Sequence, residues 1–187
     1  RALAPNKTVK EIIATIEAEK DKLEVMSTGF KAIDDWLDGG FLRKELVVIG
    51  AHTGIGKSYI GGQLMYNIAR QGFKCAYFSL EISNEMIVSR MIGSLANIKP
   101  SRIRMGLLQA QEFEAKNKAK ADLETVGEFM YFYDNLYTLD EILREIKTHQ
   151  YEFCVIDFLQ NILSKGEDEY TRLSRSALEL QKVAKEV

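Results

Sequence analysis

Eight consecutive residues, Ala51-His52-Thr53-Gly54-Ile55-Gly56-Lys57-Ser58, have the composition and order of a phosphate-binding loop. They follow an apolar, β-branched run and precede a segment of helical pattern, the context such a loop needs. Gly54 and Gly56 let backbone N–H groups turn toward an anion. The helix start adds unpaired donors and a partial positive charge. Lys57 has the reach to meet the β- and γ-phosphates of a nucleotide, and the Ser58 hydroxyl suits Mg²⁺. Residues 51–58 are therefore the expected nucleotide-binding loop, with His52 in its variable part and given no chemical role. One departure from the common GxxxxGK[ST] pattern is Ala51 in place of the first glycine, which is tolerable where φ is negative.

Two carboxylates extend the reading. Asp157 ends the run FCVIDF, an odd end for a buried strand unless the carboxylate has work to do. It fits the role of holding Mg²⁺ beside Ser58 (a Walker B aspartate), as against a helix cap or loop carboxylate. Glu81 ends KCAYFSLE, a strand expected in the same sheet with its carboxyl end facing the loop. It fits either a base that takes the proton of an attacking water or an N-cap of the following helix. The candidate catalytic residues are thus Lys57 and Glu81, and the candidate metal ligands are Ser58 and Asp157.

These side chains must be held by a framework, and 187 residues with 46% apolar content supply one ordinary domain with a short appendage. Apolar runs at 45–50, 74–80, 129–133 and 153–158 read as strands. The run at 45–50 (ELVVIG) reads as a buried one. Helical patterns occupy 58–70, 83–95, 109–126, about 138–148 and 172–187, with a short turn or helix opening at Pro100. Thr138 and Glu141 form a capping box. Strands separated by helices imply an α/β fold with a parallel sheet covered on both faces. Residues 164–170 read as an acidic loop.

Residues 1–26 read as a separate appendage and 27–187 as the main domain. Thr8 and Glu11 match a second capping box, and Val9, Ile12, Ile13 and Ile16 then make an apolar stripe. The stripe fits packing on its own domain or docking on another subunit.

Composition narrows the setting. With 25 basic and 27 acidic residues the formal charge is −2, so nucleic-acid contact is confined to a local patch. Cys75 and Cys154 sit in strand-like runs and read as buried thiols of a reducing, cytoplasmic compartment. Neither a zinc spacing, nor a membrane span, nor a signal peptide is evident.

The ordered set of motifs resembles the C-terminal, RecA-like motor domain of DnaB-type replicative hexameric helicases. The resembling segments are Ser27-Thr28-Gly29-Phe30, Ile33-Asp34 and Gly39-Gly40, the phosphate loop, and Phe78-Ser79-Leu80-Glu81. Further along they are Ile103-Arg104-Met105-Gly106, Val155-Ile156-Asp157-Phe158-Leu159-Gln160 and Leu173-Ser174-Arg175-Ser176. The family often carries alanine where Ala51 stands, and usually tyrosine where Phe158 stands. The resemblance implies a RecA-like P-loop NTPase fold and an ATP hydrolase that uses Mg²⁺. The implied activity couples hydrolysis to translocation on single-stranded DNA and to duplex unwinding.

It also implies Glu81 as the catalytic base, a homo-hexameric ring, a primase or helicase-loader partner, and docking of the first helix on an adjacent motor domain. A polar sensor strand and an arginine finger are expected beyond Val187, which makes the motor domain C-terminally incomplete. A strand-exchange ATPase and an ATP-dependent oligomerisation module share the phosphate-loop residues, and the remaining motifs favour the helicase.

Overall fold

The structure is a computed structural model that describes residues 7–19, 24–52, 54–163 and 168–186. In chain order the elements are α1 (Val9–Glu19), β1 (Val25–Met26), α2 (Lys31–Trp36), β2 (Phe41–Leu42), α3 (Lys57–Ala69), β3 (Cys75–Ser79) and α4 (Asn84–Ala96). They continue as α5 (Pro100–Met105), α6 (Ala110–Glu124), β4 (Met130–Tyr133), α7 (Leu139–His149), β5 (Phe153–Asp157) and α8 (Glu169–Glu186).

The main sheet is parallel, in the order β4-β3-β5. Parallel strands need a crossover between them, and the helices that supply it cover the sheet's faces. All five residues of the central strand β3 are buried. Side chains alternate along it, as the strand period demands. Cys75 and Tyr77 join Met65, Ile68, Ile87 and Met91 in a core under α3 and α4. Ala76 and Phe78 join Ile142, Ile146, Leu180 and Val183 in a second core under α7 and α8. The expected α/β architecture, with its sheet covered on both faces, is what forms.

Close approach sets the placement of α3. A Cβ on Gly61 would come 3.1 Å from Val155 Cγ1 and 3.3 Å from the Tyr77 hydroxyl. A Cβ on Gly62 would come 3.0 Å from Met91 Cγ. The two adjacent glycines thus let α3 press on the sheet and on α4 at once.

Three expectations need correction. Residues 45–50 form no strand: Leu46, Val47, Val48 and Ile49 are between 39% and 74% exposed. β-propensity becomes a strand only where another strand offers its edge. Among the described residues β5 pairs on one side only, and residues 153–156 remain half-buried. Secondly, the acidic stretch does not extend through Tyr170, because Glu169 and Tyr170 already belong to α8. Asp168 accepts from the Thr171 N–H at 3.0 Å and the Thr171 hydroxyl at 2.6 Å, which starts the helix. Residues 164–167 lie outside the described residues. Thirdly, residues 25–42 hold more structure than the pattern suggested. The antiparallel ribbon β1–β2 brackets α2, and Asp34 ties it together. Its carboxylate accepts from Ser27 Oγ at 2.7 Å, Thr28 N at 2.8 Å and Thr28 Oγ1 at 2.6 Å.

Both capping boxes form. The Thr8 N–H donates to Glu11 Oε2 at 2.6 Å, and the Thr138 N–H donates to Glu141 Oε2 at 3.0 Å. The α1 stripe does not pack on its own domain: Val9 is 73% and Ile16 62% exposed. Both cysteines are free thiols, Cys75 buried as expected but Cys154, on β5, which pairs on one side only among the described residues, half-buried by surface. Burial pushes the Cys154 thiol up to about 12.

Partial burial opposes the charge on Asp34, but the hydrogen bonds from Ser27 and Thr28 outweigh it, and its pKa falls below the ordinary carboxylate value. A depressed folded pKa adds stability above the unfolded pKa, about 3.9. That stability is lost as pH falls through the folded value. Asp34→Asn should lower stability near neutral pH by about 2 kcal/mol. Thermal melting across pH 2–7 checks this, and the variant's curve should fall less steeply than the wild type's below about pH 4.

Candidate active site

The expected phosphate-loop residues lie between the unpaired run 45–50 and the start of α3. Gly54 has φ of 84° and Gly56 a φ of 109°, both in the left-handed region that glycine enters at little cost. Gly56 is the N-cap residue of α3, and its carbonyl accepts from the Tyr59 and Ile60 N–H groups at 3.0 and 3.1 Å. Ala51 is not among the residues with positive φ, so alanine is tolerated there. Thr53, expected in the loop, lies outside the described residues. His52 and Ile55 are exposed.

Lys57 is the first residue of α3, and its ammonium donates to the Ala51 carbonyl at 2.8 Å and the His52 carbonyl at 3.3 Å. The cation thus closes the loop on itself while staying at its mouth. Ser58 follows on the sheet-facing side. At 100° per residue Ser58, Gly61 and Met65 share that side, whereas Gly56, Ile60, Gln63 and Asn67 share the opposite one. A cleft of about 610 Å³ lined by Gly54, Gly56, Gln63 and Asn67 follows that opposite side.

Asp157 is the last residue of β5, 6% exposed. It lies opposite Ser79 of β3, and its carbonyl accepts from the Leu80 N–H at 2.8 Å. The alternative of a loop or cap carboxylate does not hold for it. Its Oδ2 accepts from the buried Tyr77 hydroxyl at 2.7 Å. Burial first, then the Asp157 charge and hydrogen bond, raise the Tyr77 phenol well above its ordinary value, while a Ser58 hydrogen bond opposes the rise. Ser58 Oγ and the Asp157 carboxylate form an all-oxygen donor set, the chemistry that a hard cation such as Mg²⁺ takes.

Glu81 stands just past the end of β3, at the same edge, and is exposed. It does not cap α4. The N-cap residue of that helix is Ser83, and the Asn84 N–H donates to Asp134 Oδ2 at 2.9 Å. Among the described residues Glu81 has no hydrogen-bond or ion-pair partner, so its carboxylate is left for solvent or substrate. Sequence reasoning had passed over Asp134 and Tyr77. Asp134 follows the last residue of β4, and an acidic residue closing a strand was the available signal. A tyrosine within the otherwise apolar strand β3 was the signal for Tyr77.

A parallel sheet with helices on both faces, and a glycine-containing turn that opens α3 against it, fit a RecA-like P-loop fold. The chain belongs to the DnaB-like helicase C terminal domain family, whose model matches residues 25–187. Among curated relatives, "Replicative DNA helicase DnaB" of Treponema pallidum (strain Nichols) is 32% identical over 136 residues, covering 71% of this chain and 31% of that protein. The chain spans less than half the length of the curated relatives it matches. Two solved structures share the fold. "ATPase Domain of G40P" aligns with a TM-score of 0.82 at 16% identity, over 97% of this chain and 68% of that one. "The Structure Of A DnaB-Like Replicative Helicase And Its Interactions With Primase" aligns with a TM-score of 0.81 at 16% identity, over 97% of this chain and 46% of that one.

Lys57→Ala removes the loop's only side-chain cation. It should weaken nucleoside-triphosphate binding about thirtyfold, equivalent to about 2 kcal/mol, with the circular dichroism spectrum unchanged. Isothermal titration of the full-length protein measures it, and wild-type affinity in the variant would sink the phosphate-loop assignment.

Proposed function

We propose that this chain is the ATP-hydrolysing motor segment of a replicative DNA helicase, driving movement along single-stranded DNA and strand separation. The observation that supports the reading is the packing of α3 against β3 and β5, the elements that carry or lead into the four groups. Lys57 and Ser58 start α3, while Asp157 and Glu81 stand at the carboxyl ends of β5 and β3. Family membership gives that edge its context.

Each group has a role in this reading. The loop N–H groups and Lys57 bind the triphosphate, with the ammonium exchanging its bonds to Ala51 and His52 for phosphate oxygens. Ser58 and Asp157 are the residues that would hold Mg²⁺, which when bound neutralises charge on the β- and γ-phosphates. Glu81 takes the proton of the attacking water. Its exposure and its freedom from capping support that role.

Residues 1–26 form a linker and 27–187 the motor domain in this reading. The family match beginning at residue 25 supports the boundary. The exposed stripe of Val9, Ile12, Ile13 and Ile16 supports docking of α1 on the motor domain of a neighbouring copy, which would help close a homo-hexameric ring. At roughly 25 cal/mol per Å² buried, such a stripe contributes several kcal/mol before association costs. A primase is a further expected partner, by analogy with the second solved structure. No helix among the described residues is long and apolar enough to cross a membrane.

Three measurements test the reading on the full-length protein. ATP and Mg²⁺ should drive separation of a forked duplex, and hydrolysis without strand separation on any fork would overturn the helicase assignment. Glu81→Gln should retain Mg²⁺-ATP binding while phosphate release falls at least about a hundredfold; a joint loss of binding and turnover would assign Glu81 a structural role. The double variant Ile13→Asp with Ile16→Asp should convert hexamers to smaller species in native mass spectrometry. An intact hexamer would remove α1 from ring closure.

A further inference from the structure

Tyr77 has no solvent exposure, yet it carries a polar group beside the buried carboxylate of Asp157. A buried hydroxyl is costly without a partner. This one donates to Asp157 Oδ2 at 2.7 Å. In register Tyr77 lies opposite Val155, so its side chain reaches two residues along β5 to find that carboxylate. The path runs under α3 at Gly61, where a Cβ would come 3.3 Å from the hydroxyl. The missing side chain of α3 and the long side chain of β3 thus serve the same bond. A phenylalanine would fill the same apolar volume, so packing alone does not call for the oxygen.

Two effects of this bond oppose each other. By donating to Asp157, the hydroxyl offsets part of the charge with which the carboxylate attracts a cation. It also takes one oxygen in a directional, charge-assisted bond. That fixes the carboxylate and leaves Oδ1 without a hydrogen-bond partner among the described residues. A group that orients a metal ligand typically changes metal affinity by 10–100-fold when removed, so orientation outweighs the offset.

We propose that Tyr77 is a positioning residue for the metal-holding edge, fixing Asp157 so that its second oxygen serves Mg²⁺ together with Ser58. The inference rests on the reading of Ser58 and Asp157 as the residues that hold the cation. Tyr77 touches neither nucleotide nor metal and acts only through Asp157.

The test is fluorescence titration of the full-length protein with an N-methylanthraniloyl ATP analogue, once in EDTA and once across a Mg²⁺ series. Tyr77→Phe should raise the Mg²⁺ concentration for half-maximal binding by about three- to tenfold, the lower part of the range for such positioning groups. Any change of affinity in EDTA should be at least three times smaller. Asp157→Asn should raise the Mg²⁺ requirement further, and the double variant should match Asp157→Asn alone.

Additive effects would make the tyrosine merely structural and overturn the proposal. A shift in Asp157→Asn with none in Tyr77→Phe would overturn it while leaving the Asp157 reading standing. No shift in Asp157→Asn would overturn both. If Tyr77→Phe melts below the assay temperature, Gly61→Ala crowds the same hydroxyl from the helix side. It should raise the Mg²⁺ requirement in the same direction, and an unchanged requirement would count against the proposal.

Discussion

Parallel pairing of β3 with β5 sets Ser79 opposite Asp157 and lays the Leu80 N–H on the Asp157 carbonyl. Strand side chains alternate between faces, so a slip of one residue would turn Asp157 away from α3 and toward α7 and α8. Register is therefore as necessary to the site as the identity of the residues. It is held by the apolar partition of β3, whose Tyr77 and Phe78 belong to different cores. It is also held at its far end, where Glu152 Oε2 accepts from the Lys74 N–H at 2.8 Å. Once the pairing is in place, α3 can be seated only where Gly61 leaves room against Val155 and Tyr77, and that seating packs the helix that Lys57 and Ser58 open on β3 and β5. Glu81, following Leu80, is delivered to the same edge by the same ladder.

The parts of this arrangement legible in the sequence are those written in short stretches of chain. The phosphate loop is eight residues long and carries its own glycines. The capping boxes at Thr8 and Thr138 span four residues each, whereas the start of α6, with Gln109 at its N-cap and Glu112 reaching back, does not fit the Ser/Thr pattern. Strands β3, β4 and β5 stood out because apolar runs were bounded by polar turns. What escaped depends on partners far away. Asp134 caps α4 across 50 residues, and Tyr77 meets Asp157 across 80. The ribbon of β1 and β2 is two residues per strand, too short to have a period. The run at 45–50 has strand composition and lacks a ladder, because pairing depends on an available edge and not on composition. The family resemblance was legible for a different reason: several short motifs in fixed order constrain the chain far more than any one of them.

Gly61 and Gly62 have one more consequence. Each costs about 1 kcal/mol of helix propensity relative to alanine. They lie in the helix that begins with Lys57 and Ser58. Alone in water, a 13-residue helix with such a centre would be mostly coil. The first turns of α3 thus owe their order to the sheet beneath and to α4 beside them. Local fraying at this end is suppressed only as long as the core is closed, so α3 belongs to the same cooperative unfolding unit as β3 and β5. In hydrogen-exchange terms, the amides of α3 should share the protection of the central strands, and the N–H groups at its start inherit their rigidity from the core.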